Sequence, residues 1–196
     1  MRKQFLPRKF DPLGQYPRPA RVQAHARAFL VLCHAEIESY LEGWAKEIAR
    51  ASEVVWSKSG KVTKPLAFLM ATLSERIKVP ETYRTNNSND MPQRLSQITV
   101  QLFQNFYKSI KDNNGIKERN LFVLFGPLGI PSAALGATLL PNLDNLGAIR
   151  GTHAHNSSKA VQSVLDPETE YNRVRALLSD LAALDQWLVS YKRQVR

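Results

Sequence analysis

The chain has 196 residues, 43% of them hydrophobic, and a formal net charge of +10 with its histidines neutral. That is length for one domain, or for a domain with extensions, and enough apolar content for a buried core. The positive balance favours anionic partners (nucleic acid, an acidic protein or an anionic membrane surface) without choosing among them. The single cysteine, Cys33, excludes an intramolecular disulfide and fits a reducing cytoplasm. No run approaches about 18 apolar residues, so no membrane span is expected. The N-terminus has neither the apolar run nor the cleavage pattern of a signal peptide.

Residues 1–19 contain Pro7, Pro12, Gly14, Pro17 and Pro19 and read as a basic, irregular extension, with residues 20–196 as one helical domain. From Arg2 to Arg27 the cations Lys3, Arg8, Lys9, Arg18 and Arg21 face the single acid Asp11. Such a segment either tracks RNA phosphates, stays a solvated tail or wraps a partner chain. Next, Phe29, Cys33, Ile37, Leu41, Trp44 and Ile48 recur at spacings of three and four, which predicts an amphipathic helix reaching Trp56 before Gly60. Pro65 suits the first turn of a shorter helix through Leu66, Leu69, Leu73 and Ile77, stopped by Pro80. Thr85 to Pro92 is turn-rich. A third helix spans 93–111, with Leu95, Ile98, Leu102, Phe106 and Ile110 on one side and Asn113-Asn114-Gly115 as its cap.

Leu121 to Phe125 is either a buried strand or a short buried helix. With helices on both sides and no partner strand, helix or irregular packing is favoured. Pro141 opens a helix carrying Leu143, Leu146 and Ile149. The last helix begins at Asp166-Pro167-Glu168, where Asp suits the N-cap, Pro the first helical position and Glu the positive helix end. The expected class is all-α, an antiparallel helical bundle with additional short helices.

The densest chemistry lies in Arg150-Gly151-Thr152-His153-Ala154-His155, a permanent cation and two imidazoles within six residues. RNA cleavage needs the 2′-hydroxyl deprotonated, the leaving 5′-oxygen protonated and the charge on the phosphorane stabilised. Histidine serves the first two and arginine the third. Positions 150 and 155 stand about 140° apart on an ideal helix, so a shared cleft needs a long reach or a second copy of the chain. The plain alternative is a surface arginine near a helix C-terminus and a solvated or capping histidine.

The arrangement resembles the R-x4-6-H motif of the HEPN superfamily. Cys33-His34-Ala35-Glu36-Ile37-Glu38-Ser39-Tyr40-Leu41-Glu42 is similar to the acidic, aromatic helix that opens the RiboL-PSP type of HEPN domain. Leu143-x-x-Leu146-x-x-Ile149-Arg150-Gly151-x-x-Ala154-His155 is similar to its motif helix. The resemblance covers roughly residues 25–190. It implies an up-and-down helical bundle, a homodimer, and metal-independent endoribonuclease activity in a cleft shared by two subunits. Arg150 matches the motif arginine and His155 the motif histidine, with RNA as substrate and ends of 2′,3′-cyclic phosphate and 5′-hydroxyl. Toxin, antiphage-defence and RNA-processing roles are known in the superfamily, and inactive members exist. One departure stands out: Gly151 occupies a position that is commonly polar in active members, on the face of His155. Thr152 or His153 are the candidates to substitute for it.

Other residues support or compete with this reading. His34 and Glu38 are four apart and can pair, with Glu42 on the same row; they either orient a motif side chain or form an ordinary intrahelical pair. His153 and His155 diverge on a helix and lack a third ligand, so neither a metal nor a cofactor is expected. Gly147, Gly151 and Ala154 form a small-residue row, either an intrachain groove or a dimer seam. Trp44, Trp56 and Trp187 read as core, and Cys33 as buried and inert. The reading is a cytoplasmic, dimeric HEPN-type endoribonuclease acting as a toxin or defence nuclease, with an antitoxin or other regulatory protein as a further partner. The alternative is an inert HEPN-like module that binds nucleic acid or a partner protein.

Overall fold

Among the described residues, apolar positions recurring every three or four become helix. The computed structural model describes residues 1–73, 91–155 and 164–196, with the backbone alone at 91 and 152–155. Among the described residues every regular element is helical: α1 (Arg2–Phe5), α2 (Pro19–Ser59), α3 (Lys64–Leu73), α4 (Met91–Lys111), α5 (Glu118–Phe125), α6 (Leu139–His155) and α7 (Pro167–Arg193). Two 3-10 turns, Gly126–Leu128 and Ser132–Leu135, lie between α5 and α6. The all-α expectation holds. The expected continuation of α3 to Ile77 and the turn-rich 85–90 lie outside the described residues.

Leu121, Leu124 and Phe125 are buried while Phe122 and Val123 are exposed, which is helical spacing and not strand alternation. The start of α7 follows its local chemistry. Asp166 Oδ2 accepts the Thr169 hydroxyl at 2.7 Å and the Thr169 N–H at 2.9 Å. These bonds, led by the hydroxyl, hold the Asp166 carboxyl below its ordinary range. Helix α6 starts at Leu139, two residues before the expected Pro141.

The chain divides into two packed units. The first comprises Met1–Tyr40, Asn114–Asn120 and Ala133–Trp187. Its core draws Phe29, Leu30 and Ile37 from α2, Leu143 and Leu146 from α6, and Leu177, Leu181 and Leu184 from α7. The N-terminal segment is irregular apart from α1 and packs on its own chain. Leu6 is buried, Phe10 meets the Tyr171 ring at 5.9 Å, and the Arg2 guanidinium lies 4.9 Å from the centre of that ring.

The second unit comprises Leu41–Asn113, Leu121–Ser132 and Leu188–Arg196. Leu41 and Ile48 from α2, Leu66 and Leu69 from α3, Phe103 and Phe106 from α4, and Leu188 from α7 fill it. Gly129 has φ +72°, and a Cβ there would lie 2.6 Å from the Phe68 ring. Only glycine gives both the left-handed turn and that approach. The Tyr191 hydroxyl donates to the Leu128 carbonyl at 2.5 Å, and burial pushes the phenol up to about 12.

Contacts within the first unit set the register of α6 against α2. The Gly115 N–H donates to Glu38 Oε1. A Cβ at Gly147 would meet Lys117 Cγ at 3.1 Å and Ile116 Cγ1 at 3.8 Å. The short segment 115–117 therefore touches both Glu38 and Gly147. Arg150, further along α6, acts electrostatically on His34, one turn earlier on α2. Beyond α6, Leu165 is tied to the Gln23 side chain through both its N–H (2.8 Å) and its carbonyl (2.7 Å). Helix α6 therefore runs antiparallel to the first half of α2.

Candidate functional site

On α2 the spacing of four puts His34 and Glu38 on one stripe, and that stripe faces inward. His34 is 2% exposed. Burial lowers its pKa below the ordinary 6.5; the Glu38 carboxylate opposes the shift and the positive charge of Arg150 adds to it. His34 is therefore a neutral imidazole near pH 7. Its Nδ1 lies 3.6 Å from Glu38 Oε2, beyond hydrogen-bond geometry. Glu38 is instead anchored by the Gly115 backbone, on the loop that leaves α4. In sequence the segment 113–115 reads only as a helix cap; its hold on Glu38 is not legible there, because it joins residues 77 apart. Glu42, in the second unit, accepts a hydrogen bond from Asn113 Nδ2 at 2.8 Å.

Arg150 lies in the penultimate turn of α6, half-buried, with its Nε inaccessible to solvent and without a hydrogen-bond partner. Among the described residues no carboxylate pairs with it. A guanidinium in that condition has donors to offer to an incoming anion, and its planar fork matches phosphate. The structure thus brings three sequence-derived candidates, Arg150, His34 and Glu38, into one neighbourhood. The backbone of Thr152, His153 and His155 continues α6, but their side chains lie outside the described residues.

The small-residue row divides. Gly147 is buried against Lys117 and Ile116 of its own chain, whereas a Cβ at Gly151 would meet nothing within 4 Å among the described residues. Intrachain packing accounts for the first glycine and leaves the second unexplained. Trp44, Trp56 and Trp187 are half-buried rather than core. Cys33 is buried, and burial pushes its thiol up to about 11, so it carries no thiolate near neutrality. In the first unit a cleft of about 360 Å³ opens beside the N-terminal segment, where Arg18, Arg21 and His25 stand among Phe5 and Tyr16. Cations beside aromatic rings suit a single nucleic-acid strand.

The RiboL-PSP-HEPN family model matches residues 6–190. The chain belongs to the RiboL-PSP-HEPN family. Among curated proteins and among solved structures, none matches it. HEPN membership agrees with the all-helical architecture and is compatible with a nuclease or other nucleic-acid-related function. The match begins at Leu6, inside the N-terminal segment, and takes in the whole of α6. Among the described residues no three of His, Cys, Asp and Glu cluster as a metal site, and no helix is long and apolar enough to cross a membrane.

Proposed function

We propose that this HEPN chain is a metal-independent endoribonuclease. The observation that carries the reading is Arg150: a motif arginine on α6 with a buried, unpartnered Nε. In the proposed reaction the 2′-oxygen attacks the neighbouring phosphorus as a base removes its proton. The bond from phosphorus to the 5′-oxygen breaks, and an acid protonates the leaving oxygen. The products end in a 2′,3′-cyclic phosphate and a 5′-hydroxyl. Arg150 stabilises the phosphorane charge and His155 transfers the protons. Glu38 and His34 shape the ground beneath Arg150, with Thr152 and His153 as supporting groups near His155. The cleft is completed by a second copy of the chain. The biological setting we propose is a cytoplasmic toxin or antiphage-defence nuclease restrained by an antitoxin or other regulatory protein.

RNA incubated with the protein in EDTA tests this. Cleavage that survives chelation and is lost in both Arg150→Ala and His155→Ala supports the enzyme. Restored cleavage on mixing the two variants supports a shared site. A wild-type protein that cleaves no RNA rejects it. Gly151 favours a second reading, an inert HEPN-like module that binds nucleic acid or a partner protein, because the turn before His155 offers no side chain to orient it. Salt-sensitive RNA binding without cleavage is the outcome that selects this reading.

A further inference from the structure

Among the described residues, two side chains hold a buried nitrogen without a hydrogen-bond partner: Arg150 Nε and Arg27 Nε. Both arginines belong to the first unit. Arg27 precedes His34 by seven residues on α2. Two turns of helix separate them, about 10 Å along the axis and only about 20° around it, so the two share a face. The charge of Arg150 acts on His34, and the contacts made by Gly147 and Leu165 follow α2 backward from Glu38 to Gln23. Moving from His34 to Arg27 therefore leads to the C-terminal end of α6, where the backbone of His155 lies. No described carboxylate pairs with Arg27. Each side chain is half-buried, with its Nε withdrawn from solvent. Two such side chains in one unit, one on α2 and one on α6, with no carboxylate paired to either among the described residues, offer a pair of cationic donors to an incoming anion.

We propose that Arg27 binds the RNA phosphate next to the scissile one, so that Arg27 and Arg150 together read two successive phosphates of one strand. The proposal rests on the nuclease reading of Arg150. A separation of two helical turns suits neighbouring phosphates better than two contacts on a single phosphate. Arg27 is then a substrate-binding residue that sets the length and register of the bound strand and takes no part in proton transfer.

The test uses the full-length protein and two probes, a short 2′-O-methyl oligoribonucleotide that resists cleavage and a cleavable pair of substrates. Arg27→Ala is expected to weaken binding of the 2′-O-methyl strand roughly tenfold and to flatten the slope of log affinity against log salt by about 0.7. Arg27→Lys keeps the charge and restores the slope. In turnover, Arg27→Ala raises KM for a cleavable oligonucleotide and leaves kcat in place. A dinucleoside monophosphate has only the scissile phosphate, and wild type and variant cleave it equally. An unchanged salt slope in folded Arg27→Ala overturns the proposal, as does an equal loss on the dinucleoside monophosphate. A role confined to packing, or to the carbonyls at the end of α6, moves the melting temperature and not the slope. Should Arg27→Ala fail to fold, Arg27→Gln keeps the stem and takes the same measurement. The binding arm does not depend on cleavage. A wild type that binds with an Arg27-dependent slope but cuts nothing rejects the nuclease alone, and a cleaving wild type with an Arg27-independent slope rejects the Arg27 assignment alone.

Discussion

Glu38 stands 3.6 Å from Nδ1 of His34, and the two do not form a hydrogen bond. The carboxylate is held from the other side by the N–H of Gly115, so its position does not depend on the charge of the imidazole. What the pair shares is a field. Glu38 favours protonation of His34, Arg150 opposes it, and burial outweighs both.

That balance fixes the sign of a pH effect. The folded state holds His34 below its ordinary 6.5, so the unfolded chain binds more protons in the interval between the two values. Stability is full above about 6.5 and falls as the pH drops from there through the lowered folded value. Urea unfolding of the wild type at pH 7.5 and at pH 5.5 is expected to show this loss, and His34→Gln is expected to remove its share of it.

Glu38→Ala takes the acceptor from the buried Gly115 N–H. The expected cost is about 1 kcal/mol, read as a lower urea midpoint with an unchanged slope. Glu38→Gln keeps an acceptor and recovers most of that stability, but it removes the charge that favours protonated His34. In Glu38→Gln the imidazole therefore titrates at a still lower pH, measurable by NMR.

Among the described residues nothing lies within 4 Å of a Cβ built on Gly151. Gly151→Ala is expected to stabilise the protein by roughly 0.5–1 kcal/mol through helix propensity alone. Gly151→Asn gains less stability and places a polar side chain one turn before His155. In a cleavage assay it is expected to raise kcat above that of Gly151→Ala. Equal rates in the two variants would show that no orienting group is needed there.

Gly129 presents the opposite case. Gly129→Ala forces a Cβ onto a left-handed residue and into the Phe68 ring, at an expected cost of about 1–3 kcal/mol in thermal or urea unfolding. Adding Phe68→Ala relieves the crowding and leaves the backbone strain, so the double variant recovers only part of the loss.

Arg150→Ala removes a half-buried guanidinium with an unpartnered Nε that no described carboxylate neutralises. Its melting temperature is expected to match or exceed that of the wild type, while RNA cleavage falls by about 10²-fold or more. Loss of stability in step with activity would mark Arg150 as a packing residue.

Features that depend on near neighbours in the chain are legible in the amino-acid sequence. The N-cap of α7 is one: Asp166, Pro167 and Glu168 announce it within three residues, and the bonds from Thr169 to Asp166 are what the structure adds. The α2 stripe and the placement of His34 and Glu38 on one face are others, since helical periodicity alone predicts them. The run at 121–125 stays open in sequence because five residues do not separate a strand from a helix; burial of Leu121, Leu124 and Phe125 does. The depth of His34, the Gly115 anchor and the company of Arg27 and Arg150 lie out of reach of sequence. Each depends on which turn of α6 meets which turn of α2, and no local pattern encodes that. The Arg150 motif is visible as residue types at a spacing, and its electrostatic surroundings are not.

The fit of Gly147 against Lys117 has one more implication. It pins α6 three residues before Arg150, a little under one turn. One residue inserted between them would swing the guanidinium by about 100° while the pinned turn kept its seat. The helix thus behaves as a phased shaft, and its chemistry can be put out of step without loosening the fold that carries it.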